Sequence, residues 1–517
     1  MPEEPMPSGL PGTPPPQTAP AQAEPPLDLL VVGAGLAGVG AAAEFLKRLP
    51  GRRIAVLESR ADLGGTWDLF RYPGVRSDSD MFTFGYRIRP WRGLVSMVDG
   101  TSIREYVRAT AVELGVLPLI RFNRRVTHLA WSSAEALWTV TVHETQPGDE
   151  RGAAAGPAQT MRARFVHLCT GYYHYAEGYR PEFPGEADFR GRFVHPQRWP
   201  QNLDHSGKRV VVIGSGATAV TLVPELAKTA AHVTQLQRSP TYIVSQPAED
   251  RIARALSSLL PAPLLFPLVR WKNILYAVGS FALSRWKPQV VAGQIIAMAK
   301  AELPPGYDVS RHFKPAYGPW DQRVCVVPDG DLFKAISRGS ASIVTDTIER
   351  FLPEGIRLTS GATLPADIVV TATGLKVVAL GGAAVTVDGA PVALRDTMVH
   401  RGAMLSGLPN LVLTIGYTNA SWTLRADLIA QYVVRLVKRL AKKKADYVVA
   451  ERDPTVAERP LLDFSSGYVQ RALDALPTQG DRFPWRVHQN YLRDLIVTRY
   501  SRLEDPALHF RRKKGAN

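Results

Sequence analysis

Cysteine is nearly absent: Cys169 and Cys325 are the only two in 517 residues, each inside a short apolar run, and no C-x-x-C pair exists. That excludes a disulfide-stapled scaffold and dithiol redox catalysis, and it suits a reducing cytoplasm. Secretion is not expected either, since the sequence starts with Glu3, Glu4 and prolines where a signal peptide needs a basic residue and an apolar run. No apolar run offers the ~20 residues of a membrane-crossing helix. The uncharged stretch 255–269 is cut by Pro261, Pro263 and Pro267, and 402–424 is broken by turn residues including Gly407, Pro409, Asn410 and Asn419. Zinc-finger spacing, groove-reading helix motifs and aromatic-basic RNA platforms are absent, so the net charge of +15 does not indicate nucleic acid, and no metal site is expected. An anionic membrane surface or anionic cofactors suit that charge better.

What is present is an ordinary globular composition, 45% apolar and 21% charged, in a chain long enough for two or three cores. Residues 1–26 are the exception. They carry ten prolines and little apolar bulk, and are expected to stay disordered.

From Leu27 to Ser59 the pattern is apolar strand, GAGLAG, periodic helix, then the strand RIAVLES. Gly33 turns the chain at the strand end, Gly35 lets backbone approach a pyrophosphate, and Gly38 allows close helix–strand contact, with Ala37 beside them. Glu58 ends the second strand, placed to accept hydrogen bonds from an adenosine ribose. The stretch 62–80, DLGGTWDLFRYPGVRSDSD, has no helical or strand period. Its Gly65, Thr66, Trp67, Arg76 and Asp78 are candidate cofactor contacts, and its aromatics Trp67, Phe70 and Tyr72 are expected to lie on a flat ring. Segments 125–131 and 137–142 alternate as a hairpin that includes the candidate contact Val126, and GDERGAAAGPA (148–158) reads as a polar loop.

A second fingerprint follows in KRVVVIGSGATAVTLVPEL, with Gly214, Ser215, Gly216, Ala217 and Thr218 at the turn and Ala219 in the third small-residue place. Its second strand ends in Arg238 and Ser239, a cation and a hydroxyl where a ribose 2'-phosphate would sit, which favours NADPH over NADH. Residues 251–300 mix apolar, basic and tryptophan residues and are expected to form helices over a substrate cavity, with attachment to a membrane surface as the second reading. The helix from Trp422 places Ile429, Val433, Leu436 and Leu440 on one face. Its basic end is a further candidate for membrane contact. The expected fold is α/β, with two Rossmann-like dinucleotide-binding domains, 27–177 with 376–510 and 178–245 with 320–375, and a helical insert at 246–319.

Between the fingerprints stands FRGRFVHPQRWP, which reads F-x-G-x-x-x-H-x-x-x-W-P through Phe189, Gly191, His195, Trp199 and Pro200. Together with GGTWDLFRYPGVRSDSD, LQRSPTYIVSQP, RHFKPAYGPWDQR and GYTNASWTLRADL, it resembles the flavin-dependent Baeyer–Villiger monooxygenases, most closely their mycobacterial ethionamide-activating branch. The resemblance implies FAD in the first site and NADPH in the second: NADPH reduces FAD, dioxygen is activated, and one oxygen is delivered to a ketone to give an ester or lactone. It also implies that Arg323 is the active-site cation, that Asp78 orients it, and that His195 positions the cofactor or acts as a conformational switch rather than as a proton donor. Where related enzymes commonly carry lysine before that arginine, this chain has Gln322, which puts more of the NADPH preference on Arg238. S- or N-oxygenation of sulfur or nitrogen compounds is the alternative activity, and a membrane-associated nucleotide-binding protein without turnover is the alternative class.

Overall fold

The computed structural model describes residues 24–513 apart from 147, 150, 151 and 463, so nearly all of the proline-rich start lies outside the described residues. Leu29–Val32 and Ile54–Leu57 are fully buried parallel strands joined by the helix Leu36–Arg48. They are neighbours in a seven-stranded sheet. Val166–Leu168 and Leu411–Leu413 extend it in parallel on one side, and Ile120–Arg121 on the other. The helix is packed in by Trp422–Lys443, whose Ile429, Val433, Leu436 and Leu440 are buried as their spacing predicts.

A second, wholly parallel sheet runs in the order 341–345, 232–237, 209–213, 368–371, 192–194. Its central strand Arg209–Ile213 feeds the helix Ala217–Leu226, in which Ala219 is fully buried. The chain leaves the first sheet along Tyr173–Gly178 and returns along Leu375–Val377, and these two crossings pair antiparallel. The insert is helical, as expected, with helices at Arg251–Ser257, Ala262–Trp286 and Pro288–Glu302.

One element differs from the sequence reading. The hairpin Arg124–Ser132 with Leu137–Thr145 gains a third strand, Ala154–Ala163, from a stretch whose composition reads as a loop. It is the edge of a five-stranded sheet and is mostly exposed, so its Pro157 is tolerated where a central strand would exclude it.

Candidate active site

The first glycine turn is dictated by space. Gly33 has φ +102°, and a Cβ there would lie 2.5 Å from the Cys169 carbonyl oxygen; at Gly38 a Cβ would lie 1.8 Å from the Gly33 carbonyl oxygen. Only hydrogen fits at either position. Gly35 faces Gly65 of the following loop, and Gly64 donates its N–H to the Ala34 carbonyl at 3.0 Å. Two stretches of bare backbone therefore border one cavity.

That cavity has a volume of 660 Å³. Its lining includes Gly33, Gly35, Ala37, Glu58, Gly65, Thr66, Trp67, Arg76, Asp78, Val126 and Arg323, so eleven of the candidate residues meet in one place. Four arginines (Arg76, Arg124, Arg125 and Arg323) face two carboxylates (Glu58 and Asp78), so the lining is net cationic and suits an anionic dinucleotide. Glu58 accepts the Ala34 N–H at 2.7 Å and the Arg60 N–H at 3.0 Å. Burial raises its pKa, and those two N–H groups oppose the rise. The remaining lone pairs of its carboxyl group are available to hydroxyls.

Arg323 reaches the same cavity from two residues before the strand Cys325–Pro328. Its Nε donates to Asp78 Oδ2 at 3.0 Å and its Nη2 to Asp78 Oδ1 at 2.6 Å, a two-pronged pair that fixes the direction of the guanidinium. Although 43% of the side chain is accessible, the surface it shows belongs to the cavity lining. Asp78 raises the arginine's pKa, which desolvation opposes, so the group is a permanent cation. Tyr172 and Tyr173 stand beside it with hydroxyls 2.9 Å apart, and Tyr172 stacks on Trp422 at 5.1 Å. Burial pushes both phenols up in pKa while Arg323 draws them down, so they stay protonated and able to donate. Arg76 bonds Asp331 at 2.7 Å and keeps a buried Nη2 without a partner.

The loop 62–72 owes its order to Asp68, which is buried and bonds Arg60 at 2.6 Å and Arg71 and Arg104 each at 3.3 Å. Its aromatics do not all lie on one cavity. Trp67 lines the cavity, but Phe70 and Tyr72 are buried in the core of the second Rossmann unit. Apolar burial between the units, rather than a flat ring, accounts for those two.

The second fingerprint forms a separate, open site. Gly214 has φ +144° with the Ala372 carbonyl oxygen 2.4 Å from a would-be Cβ, whereas a Cβ at Gly216 would meet nothing within 4 Å. Gly216 and Ala217 are exposed at the helix start beside Ser215 and Thr218, with Arg238 and Ser239 exposed at the end of the neighbouring strand. A helix N-terminus and a guanidinium are thus open to a phosphorylated ligand.

His195 is not part of the cavity lining. Its ring lies against Gly178, where a Cβ would come within 2.0 Å of Cε1, and Nδ1 accepts the Gln197 N–H at 3.2 Å. Nε2 is buried without a hydrogen-bond partner, and burial lowers the pKa. The imidazole therefore sits neutral at the crossing between sheets, outside the lining that includes Arg323. Sequence reasoning missed Arg124, Arg125, Tyr172, Tyr173, Tyr417 and Trp422 in the lining. The run YYHY just beyond the C-terminal end of the strand Val166–Leu168 was the available signal, because ligands of such sheets gather there.

Paired Rossmann units, a cationic cavity at the first turn and an open helix N-terminus at the second define a two-dinucleotide oxidoreductase. The flavin-binding monooxygenase-like family model matches residues 94–261, and the NAD(P)-binding Rossmann-like domain matches 31–93. The FAD-containing monooxygenase EthA of Mycobacterium tuberculosis is 50% identical, over 94% of this chain and 98% of that protein. The probable FAD-binding monooxygenase AlmA of Acinetobacter baylyi is 44% identical, over 94% and 96%. Among solved structures, oxidized steroid monooxygenase bound to NADP superposes with a TM-score of 0.70 at 20% identity, covering 94% of this chain and 100% of that one. OTEMO in complex with FAD and NADP gives 0.65 at 22% identity, covering 84% and 88%. The chain belongs to the family of FAD-containing monooxygenases.

Proposed function

We propose that the protein is an NADPH- and dioxygen-dependent flavin monooxygenase that carries out Baeyer–Villiger oxidation of ketones to esters or lactones. The observation that carries this reading is the Arg323–Asp78 pair, a fixed cation in the same cavity as the first glycine turn. Bound FAD supplies the redox chemistry by which NADPH and dioxygen deliver one oxygen atom. Gly33, Gly35 and Ala37 bring bare backbone to its pyrophosphate, Glu58 accepts ribose hydroxyls, and Gly65, Thr66, Trp67, Arg76 and Val126 complete the wall. Gly214–Ala219 would hold the pyrophosphate of NADP, and Arg238 and Ser239 would bind its 2'-phosphate. Arg323 stabilises negative charge that develops on oxygen, and Asp78 keeps it aimed. His195 is a positioning residue at the crossing between the domains, which we divide as 27–177 with 376–510, 178–245 with 320–375, and the insert 246–319.

A small-molecule ketone or sulfur-containing substrate and dioxygen are the remaining partners. No helix among the described residues is long and apolar enough to cross a membrane. We place the enzyme in the cytoplasm, with peripheral membrane contact. Mass spectrometry of products from a panel of ketones and sulfides tests the reading. Esters formed only with NADPH support it, while oxidised sulfides without any ester would move the enzyme to the S-oxygenases.

A further inference from the structure

The helix Ala262–Trp286 has two apolar faces. Leu265, Phe266, Val269 and Ile274 are buried inward, whereas Leu264, Leu268, Trp271, Leu275, Leu283 and Trp286 are exposed outward, between 40% and 73% accessible. The outward residues recur at intervals of three, four or more, one face along a helix of about 37 Å. The exposed surface continues into Ile496–Tyr500. That segment adds exposed Ile496 and Tyr500, and it follows directly on Tyr491–Leu495, whose Tyr491 packs edge-on against Trp271.

Charge identifies what covers this face. From Arg251 to Ala301 there are seven Arg or Lys and no Asp or Glu. Arg270 is buried, and Arg254, Lys272 and Arg285 pair with Glu249, Asp250 and Asp321, all outside that span. Arg251 and Lys287 are exposed, the latter 4.5 Å from the ring of the exposed Trp286. An apolar stripe with tryptophan and unneutralised cations matches an anionic lipid surface. A second copy of the chain would set cations against cations across a two-fold axis.

The inward face of the same helix holds the active-site loops. Arg270 donates to the carbonyls of Phe82 at 2.8 Å and Gly85 at 2.7 Å, and Asn273 donates to Asp80 at 2.9 Å, just beyond Asp78. Near its far end, Arg285 bonds Asp321 at 2.5 Å, two residues before Arg323. The helix is thus a wall with the Asp78 and Arg323 loops on one side and an apolar face on the other.

We propose that this outward face docks on an anionic bilayer, so that the enzyme draws lipophilic substrates dissolved in that bilayer. The substrate class rests on the monooxygenase reading, but the docking surface does not.

The test is flotation of the full-length, FAD-loaded protein with vesicles of phosphatidylglycerol and phosphatidylcholine, against vesicles of phosphatidylcholine alone. Binding to the anionic vesicles is expected, weakened by salt. Leu268→Glu with Leu275→Glu should lower it by at least about tenfold per leucine, with flavin absorbance and NADPH oxidation unchanged. Arg251→Gln with Lys287→Gln, a purely superficial pair, should cost about fivefold per charge. Equal binding to both vesicle types, no flotation, or flotation unaffected by the leucine pair overturns the proposal. So does sedimentation equilibrium showing a dimeric parent and a monomeric Leu268→Glu/Leu275→Glu variant, which assigns the face to a second copy. Because flotation requires no turnover, its failure is distinguishable from failure of the activity.

Discussion

Replacing Arg323 by alanine removes a cavity-lining cation whose direction is fixed by two bonds to a carboxylate, at 3.0 and 2.6 Å. Loss of a preorganised group at a site of developing charge typically costs about 10²–10³ in turnover. The whole of that loss should fall after flavin reduction, because hydride transfer from NADPH does not require this cation. Lysine should restore little, since an ammonium lacks the planar fork that Asp78 holds. Asp78→Ala leaves the charge but releases its direction. A charge-assisted hydrogen bond is worth about 1.5–3 kcal/mol. Because Arg323 is 43% accessible, the low end applies, or about tenfold in product formation. If Asp78 acts only through Arg323, then Asp78→Ala should add nothing in the Arg323→Ala background. Stopped-flow absorbance follows reduction by NADPH, and chromatography follows the ester. Near-parental ester from Arg323→Ala, or additive losses in the double variant, refutes the assignment.

Arg238→Ala should weaken NADPH by about 1.5–3 kcal/mol while leaving NADH unchanged; an unaltered ratio of the two specificity constants removes Arg238 from the 2'-phosphate site. Gly38→Ala forces a Cβ to within 1.8 Å of a backbone oxygen and should yield protein that neither folds well nor retains FAD. Gly216→Ala meets nothing within 4 Å and should keep parental FAD content and melting temperature while binding NADPH less well, with calorimetry as the readout. His167 is buried with Nε2 2.7 Å from the Thr414 hydroxyl oxygen, and burial lowers its pKa from 6.5 to about 3. Its neutral form favours the fold fully above pH 6.5. That advantage falls by about 1.4 kcal/mol per pH unit on acidification, as the unfolded chain takes up the proton. His167→Gln should therefore lose melting temperature less steeply between pH 6.5 and 5, and an identical slope contradicts the argument.

The dinucleotide turns were legible because each glycine meets a steric demand that local sequence encodes: Gly33 and Gly38 fit where a methyl group cannot. Helix faces were legible for a similar reason, as at Ile429, Val433, Leu436 and Leu440. The strand Ala154–Ala163 was not, since Gly156 and Pro157 signal a loop and only the ladder to Leu137–Thr145 makes it a strand. Phe70 and Tyr72 misled because exposed-looking aromatics in a loop carry no record of which core receives them. The aromatic cluster about Arg323 was beyond periodicity, as Tyr172 and Trp422 are 250 residues apart and meet only once the chain has crossed between the sheets twice. His195 stands between the fingerprints in sequence, but its ring is held against Gly178.

The central claim, transfer of one atom of dioxygen to a ketone, is tested most directly by supplying the FAD-loaded enzyme with NADPH, a ketone and isotopically labelled dioxygen, and weighing the product. The account predicts an ester or lactone carrying one labelled oxygen atom, formed only when NADPH is present. NADPH consumption with no ester from any ketone, or an ester whose added oxygen comes from water, would contradict it.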